Sequence, residues 1–293
     1  FLKAKGGVVP EGTPPPPPLE LASLPLTHLW FLYLLLIFYV AATALYLITK
    51  LGGAVMTPSN PVDRLAGWIM RTPLGVLILA APVATWFLLN PAWYAWFGIP
   101  TPDTGFLPDT GALIAYGVAF GAGWLVQGQT DLLEAWRRWW PANLTLALVA
   151  TTICVRQLGL VPDFTPAMAG PEKAILAAAY GIASWAWTLA LTGLALQFWS
   201  GHSPARRYLA DSSYWLYIMH LPLVMALQVA VSDLPWPGAV KFALVLATTM
   251  GILLGSYQLF VRNSWLGAWL NGRRLGGGPA IAAPALNTQT TQP

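Results

Sequence analysis

The sequence predicts an all-α, polytopic membrane helix bundle of about seven transmembrane helices. Two observations carry most of that prediction. The 293 residues are 56% hydrophobic and only 9% charged, where a soluble domain carries roughly 25% charged residues. The apolar residues also fall in runs of lipid-crossing length, since a hydrocarbon core of about 30 Å needs roughly 20 residues of helix. A third observation agrees with both. The chain holds 16 Trp and 26 Pro, and membrane proteins gather Trp at the interfaces and tolerate Pro within spans.

Seven segments meet the length rule: 29–49, 73–90, 110–127, 142–160, 173–198, 213–231 and 239–261. The fourth carries Arg156 near its end. The run WYAWFG at 93–98 either extends the second span or lies at the interface. Residues 1–27 include PPPPP at 14–18, a polyproline-type stretch that cannot be helical, and they read as an extramembrane segment. Residues 275–293 are poor in charge and rich in Gly, Ala, Pro, Thr and Gln, and read as a disordered tail. The domain expected between them is 28–274.

Ten of the 15 Lys and Arg fall between alternate spans or in the tail: Lys50, Arg64, Arg71, Arg137, Arg138, Arg206, Arg207, Arg262, Arg273 and Arg274. The 91–109 connection has none. The positive-inside rule then places the C-terminus in the cytoplasm, and seven spans place residue 1 outside. A chain that starts inside needs an odd number of further spans before Phe1, and the sequence opens without a Met or a signal peptide. It therefore reads as a piece of a longer protein.

Function classes narrow next. The net charge of +4 is not gathered into a basic segment, so no nucleic-acid partner is expected. Cys154 is the only cysteine, which excludes an internal disulfide. No P-loop, G-x-G-x-x-G, C-x-x-C or H-E-x-x-H occurs. Three His and one Cys make no metal cluster, so neither a metal nor a bound cofactor is expected.

The chemistry-bearing residues lie inside apolar runs. In SSYWLYIMHLPLV at 212–224, helical spacing puts Ser213, Tyr217 and His220 on one face at i, i+4 and i+7. Polar groups at membrane depth need partners, so the strip faces the bundle interior or a wet cavity. It lines a substrate, or His220 is satisfied by an interhelical hydrogen bond. Pro222 follows, and a kink near His220 is expected. His28 opens the first span beside Trp30, as an interface anchor or at the mouth of a cavity. Arg156 either snorkels to the outer interface or faces inward to meet an anionic group. Gln127, like Gln197, Gln228 and Gln258, either hydrogen-bonds sugar hydroxyls or joins helices. His202 sits in the polar loop GHSPARRYLAD and reads as surface.

These stretches carry a resemblance. Ser213, Tyr214, Tyr217, His220 and Pro222 meet the shape Ser-Tyr-x-x-Tyr-x-x-His-x-Pro, which resembles a late-span signature of the membrane acyltransferase-3 family. HLWFLYLLLIFY at 28–39 resembles that family's early His-x-Trp-Phe-Leu segment, most of all in the branch containing glucan biosynthesis protein C. VRNSWLGAWLNGRR at 261–274 is similar to its final span. The resemblance implies about ten spans in a bacterial inner membrane. It implies transfer of an acyl group, acetyl or succinyl, from a CoA thioester to a hydroxyl of an envelope glycan. Acyl-CoA is then a co-substrate, and the partners are the lipid bilayer, the glycan acceptor and the acyl donor.

The family's central basic residue and His, on its first span, match nothing in this sequence, so about three spans are expected before Phe1. On the family reading His220 supports catalysis, with Tyr217 and Ser213 beside it. His28, Arg156 and Gln127 are the expected substrate contacts. Two rivals are a multi-span transporter of a small polar solute and a non-catalytic membrane scaffold.

Overall fold

The computed structural model describes residues 26–51, 61–101, 107–161 and 169–270. The Pro-rich start and the tail lie outside the described residues. All regular structure among the described residues is helical. The chain divides into two compact units, Phe1–Gly201 and His202–Pro293.

In the first unit a 3-10 turn, Thr27–Leu29, leads into α1 (Trp30–Leu51). α1 is apolar all round and buries only Leu34, as expected of a helix whose solvent is lipid. It rests on α4 (Thr110–Gly128) through Trp30 on Tyr116 and Phe38 on Phe120, with ring centroids 5.2 and 5.5 Å apart.

α2 (Pro61–Met70) and α3 (Gly75–Leu89) meet at a bend of 103°. The sequence carries the cause in part. Pro73 disfavours helical backbone at Thr72, and Thr72 Oγ1 donates to Ile69 O at 2.7 Å, closing the end of α2. The elbow is tied down from a distance. Arg71 Nε donates to Asp131 Oδ2 at 2.8 Å, and its Nη2 to Gln129 Oε1 at 3.0 Å. Gly67 leaves room for the amide end of Gln129, which a Cβ there would displace.

α5 (Asp131–Leu158) and α6 (Pro171–Phe198) are the long antiparallel pair of this unit. Arg137 Nη1 donates to Gln197 Oε1 at 3.0 Å at one end, and Trp187 Nε1 to Thr151 Oγ1 at 2.9 Å nearer the other. α5 buries Leu132, Trp136, Asn143, Ala147, Ala150 and Cys154, a stripe at spacings of three, four and seven. Gly193 of α6 sits on the Trp136 carbonyl so closely that a Cβ would strike it. Small residues matter here because lipid gives apolar side chains little reason to pair, and close van der Waals approach does that work instead. α3 packs on α6 through Val76, Leu79, Ala80, Val83 and Phe87, and Gly181 takes Ala80 O within 3.0 Å of where its Cβ would lie.

Beyond α3 the chain folds back rather than extending the span. Trp93 stacks on Phe87 with centroids 4.1 Å apart and donates from Nε1 to Gly98 O at 3.1 Å. Gly98 has φ +67°, and Tyr180 lies where its side chain would be.

The second unit holds α7 (Pro204–Val231), α8 (Gly238–Ser256), a π-turn at Tyr257–Val261 and α9 (Trp265–Leu270). Ser203 Oγ accepts from Arg206 N, and Pro204 takes the first turn of α7, the usual residues for a helix start. Tyr208, Ser212 and Trp215 form the face of α7 that meets α8. Tyr208 OH donates to Leu254 O at 3.1 Å, Trp215 Nε1 to Ser256 Oγ at 3.0 Å, and Ser212 is fully buried.

The all-α expectation stands, and among the described residues five helices are long and apolar enough to cross a membrane, or six if the bent α2–α3 pair is one span. The expected count was seven. The difference lies at α3, whose 15 residues reach spanning length only together with α2, and at α5, where Asn143, Arg156 and Gln157 dilute the apolar stretch expected at 142–160. The basic residues expected in connections sit on helix instead. Arg137 and Arg138 lie in α5, Arg206 and Arg207 in α7, and Arg64 in α2. Arg is a good helix former, so a helix continues past the point where lipid would end.

Candidate functional site

Ser213, Tyr217 and His220 all lie in α7, one helical step round from the Tyr208–Ser212–Trp215 face that meets α8. His220 is half-buried and its Nδ1 lies 2.7 Å from the carbonyl oxygen of Tyr217. A carbonyl only accepts, so in this contact Nδ1 is the donor, and in the neutral ring Nε2 is then the acceptor. The Tyr217 and His220 rings are 5.9 Å apart and tilted by 43°. Tyr217 thus orients the imidazole through its backbone, with its ring alongside. Ser213 Oγ donates to Ala210 O at 2.8 Å and is exposed, so its proton is committed to its own helix. Pro222 lies within α7, which runs on to Val231. Having no N–H, it cannot make the helical bond to the Ile218 carbonyl.

The three residues expected in contact with substrate lie in the first unit. Trp30 packs on Tyr116, and Cys154 clusters with Ala115. His28 and Arg156 therefore lie towards the same end of that unit. Gln127 is 11 residues beyond Tyr116 on α4, about 16 Å away at 1.5 Å per residue, so it belongs to the opposite end. Arg156 is exposed in the last turn of α5, where a cation complements the helix C-terminus. Gln127 is exposed as well. His28 is half-buried in the 3-10 turn.

Three polar features were not singled out by sequence. Lys173 is buried at 6% exposure, and its Nζ donates to Asn90 O at 2.6 Å, tying α6 to the end of α3. Gln129, two residues past Gln127, lines a cavity of about 480 Å³ with Arg64, Trp68 and Arg71. Trp136 is buried, and its Nε1 has no hydrogen-bond partner. A Lys opening an apolar run was a visible signal for the first. The other two depend on residues brought together from distant parts of the chain.

On the exposed first turns of α5, hydrogen bonds from Arg137, with its charge, hold the Glu134 carboxyl below its usual range. That pair neutralises one of the two adjacent arginines, and Arg138 instead lies over the Trp139 ring at 5.6 Å.

A family model described as an acyltransferase domain matches residues 6–275. No curated protein and no solved structure matches the chain.

Proposed function

The chain belongs to the acyltransferase-3 family, and from that premise we propose that it moves an acetyl or succinyl group from a CoA thioester to a hydroxyl of an envelope glycan. The observation that carries the proposal is the His220 imidazole, half-buried in α7 and held with Nδ1 2.7 Å from the Tyr217 carbonyl oxygen. It lies in a helix apolar enough to cross a membrane.

In the reaction the acceptor oxygen attacks the thioester carbonyl carbon. Its proton passes to a base, the C–S bond breaks, and the CoA thiolate leaves and is protonated. Hydrogen-bond donors at the developing oxyanion lower the barrier. His220 acts in support, positioning the acceptor hydroxyl at Nε2, with Tyr217 fixing the ring. Ser213, His28, Arg156 and Gln127 are proposed as acceptor or donor contacts from their own units. The likeness of HLWFLYLLLIFY to the glucan biosynthesis branch favours a glucan as acceptor.

The family resemblance suggests a bacterial inner membrane, and the asymmetry of Lys and Arg favours a cytoplasmic C-terminus. Radiolabelled acyl-CoA and a glucan acceptor, given to the purified protein in nanodiscs, test the activity. Label covalently attached to the glucan supports it. Solute flux through liposomes without any covalent change to the solute points to a transporter instead.

A further inference from the structure

The elbow in the first unit sets two unlike helices, α2 and α3, at 103° to each other. α3 carries no charged residue in its 15 positions, and at 1.5 Å per residue it is about 22 Å long. That is most of a hydrocarbon core of about 30 Å. α2 has 10 residues and carries Asp63 and Arg64 in adjacent positions. With α3 crossing the bilayer, α2 is nearly perpendicular to it and lies along the interface. A charged, amphipathic helix is stable there and costly at depth.

The two sides of α2 differ. Gly67 and Met70 are buried, whereas Leu65 and Trp68 are 59% and 65% exposed. Arg64, Trp68 and Arg71 follow at i, i+4 and i+7, so they share a face. With Leu65 and Gln129 they line an open pocket of about 480 Å³. Among the described residues none of the lining is acidic.

The two arginines differ in what they have left to donate. A guanidinium has five N–H donors. Arg71 gives Nε to Asp131 Oδ2 and Nη2 to Gln129 Oε1. Those bonds fix its plane and leave Nη1 to the pocket. Arg64 is exposed and makes no ion pair among the described residues. On the first turns of α5, Glu134 pairs with Arg137, and Arg138 lies over the Trp139 ring. Arg64 is therefore the uncommitted cation of the pocket, and Arg71 is the fixed one. An oxyanion that accepts from both is favoured, and phosphate suits the guanidinium fork. The exposed rings and methyls of Trp68 and Leu65 beside it favour an anion that carries its own apolar part. A phospholipid at the interface has that order of phosphate and hydrocarbon, and a free phosphate does not.

We propose that this pocket binds the phosphate of an anionic phospholipid headgroup between Arg64 and Arg71 Nη1, with Leu65 and Trp68 against the acyl-chain boundary. The proposal does not rest on the acyl-transfer reading.

The protein in mixed micelles is titrated with phosphatidylglycerol or phosphatidylcholine, and native mass spectrometry gives the affinity for the first bound lipid. Wild type should bind phosphatidylglycerol more tightly. Arg64→Gln should weaken that binding about fivefold, the worth of one arginine at an anionic surface, and leave phosphatidylcholine binding unchanged. Arg64→Lys keeps the charge and should stay within about twofold of wild type. Arg138→Gln removes a cation outside the pocket and should change neither affinity. A spin label on Leu65→Cys, in a Cys154→Ala background, reports depth in nanodiscs. Oxygen should reach it more readily than a water-soluble nickel chelate.

Each variant is checked by gel filtration and thermal melting. Unchanged phosphatidylglycerol binding by folded Arg64→Gln would overturn the proposal. An equal loss in Arg138→Gln would reduce the site to diffuse surface charge and overturn it too. A Leu65 label more open to nickel than to oxygen would overturn the interfacial placement of α2. Displacement of phosphatidylglycerol by free CoA from wild type, and not from Arg64→Gln, would assign the pocket to a nucleotide phosphate and overturn its lipid source.

Discussion

His220 Nδ1 lies 2.7 Å from the carbonyl oxygen of Tyr217 on the same helix. The contact is made to backbone, so it survives any substitution of the Tyr217 side chain that keeps α7 intact. Tyr217→Phe should therefore keep kcat within about threefold of wild type, since no more than one modest hydrogen bond is at stake. Steady-state transfer kinetics check this. A loss of about 100-fold would give the phenol itself a role in stabilising charge.

The Ser213 hydroxyl is already donated to Ala210 O on an exposed face. Ser213→Ala should leave melting temperature unchanged and raise KM with little change in kcat, the pattern of a residue that only binds. A matching fall in kcat and kcat/KM would place its hydroxyl at the reacting atoms.

Lys173 reaches a backbone acceptor from a buried position. Lys173→Met should cost about 1.5–3 kcal/mol, the range for a hydrogen bond to a charged group, in reversible unfolding in mixed micelles. Asn90→Ala keeps the carbonyl and removes only the side-chain bond to Ala92 N, so it should cost about 0.5–1.5 kcal/mol. Unchanged stability in Lys173→Met would mean that the Nζ contact contributes nothing.

Gly193 meets the Trp136 carbonyl where a Cβ would go. Gly193→Ala should push α5 and α6 apart and destabilise by about 1–3 kcal/mol. At Gly251 of α8 a Cβ meets nothing within 4 Å, and Gly251→Ala should be neutral or stabilise by about 0.5–1 kcal/mol. Thermal melts of the two variants in one detergent give the comparison.

These contrasts mark what was legible in the sequence. Long apolar runs are enough to place α1, α4, α6, α7 and α8, because lipid thickness fixes their length. The shared face of Ser213, Tyr217 and His220 follows from helical spacing alone. The elbow between α2 and α3 was only half legible. Pro73 signals a break, but the direction of the bend is held by Asp131 and Gln129, some 60 residues on. Helix ends misled for a related reason. Arg137 and Arg206 were expected in connections between spans, and helical hydrogen bonding continues through them. The separation of Gln127 from His28 was likewise invisible until α1 and α4 were paired through Trp30 and Tyr116.

The proposed role of His220 in acyl transfer is carried by Nε2. The most direct measurement is kcat for acyl-CoA-dependent labelling of the glucan by wild-type protein and His220→Ala, both shown to be folded by gel filtration and melting. His220→Ala should lower kcat about 100-fold, the scale of removing one group that interacts with the reacting atoms. Turnover by folded His220→Ala equal to that of wild type would contradict it.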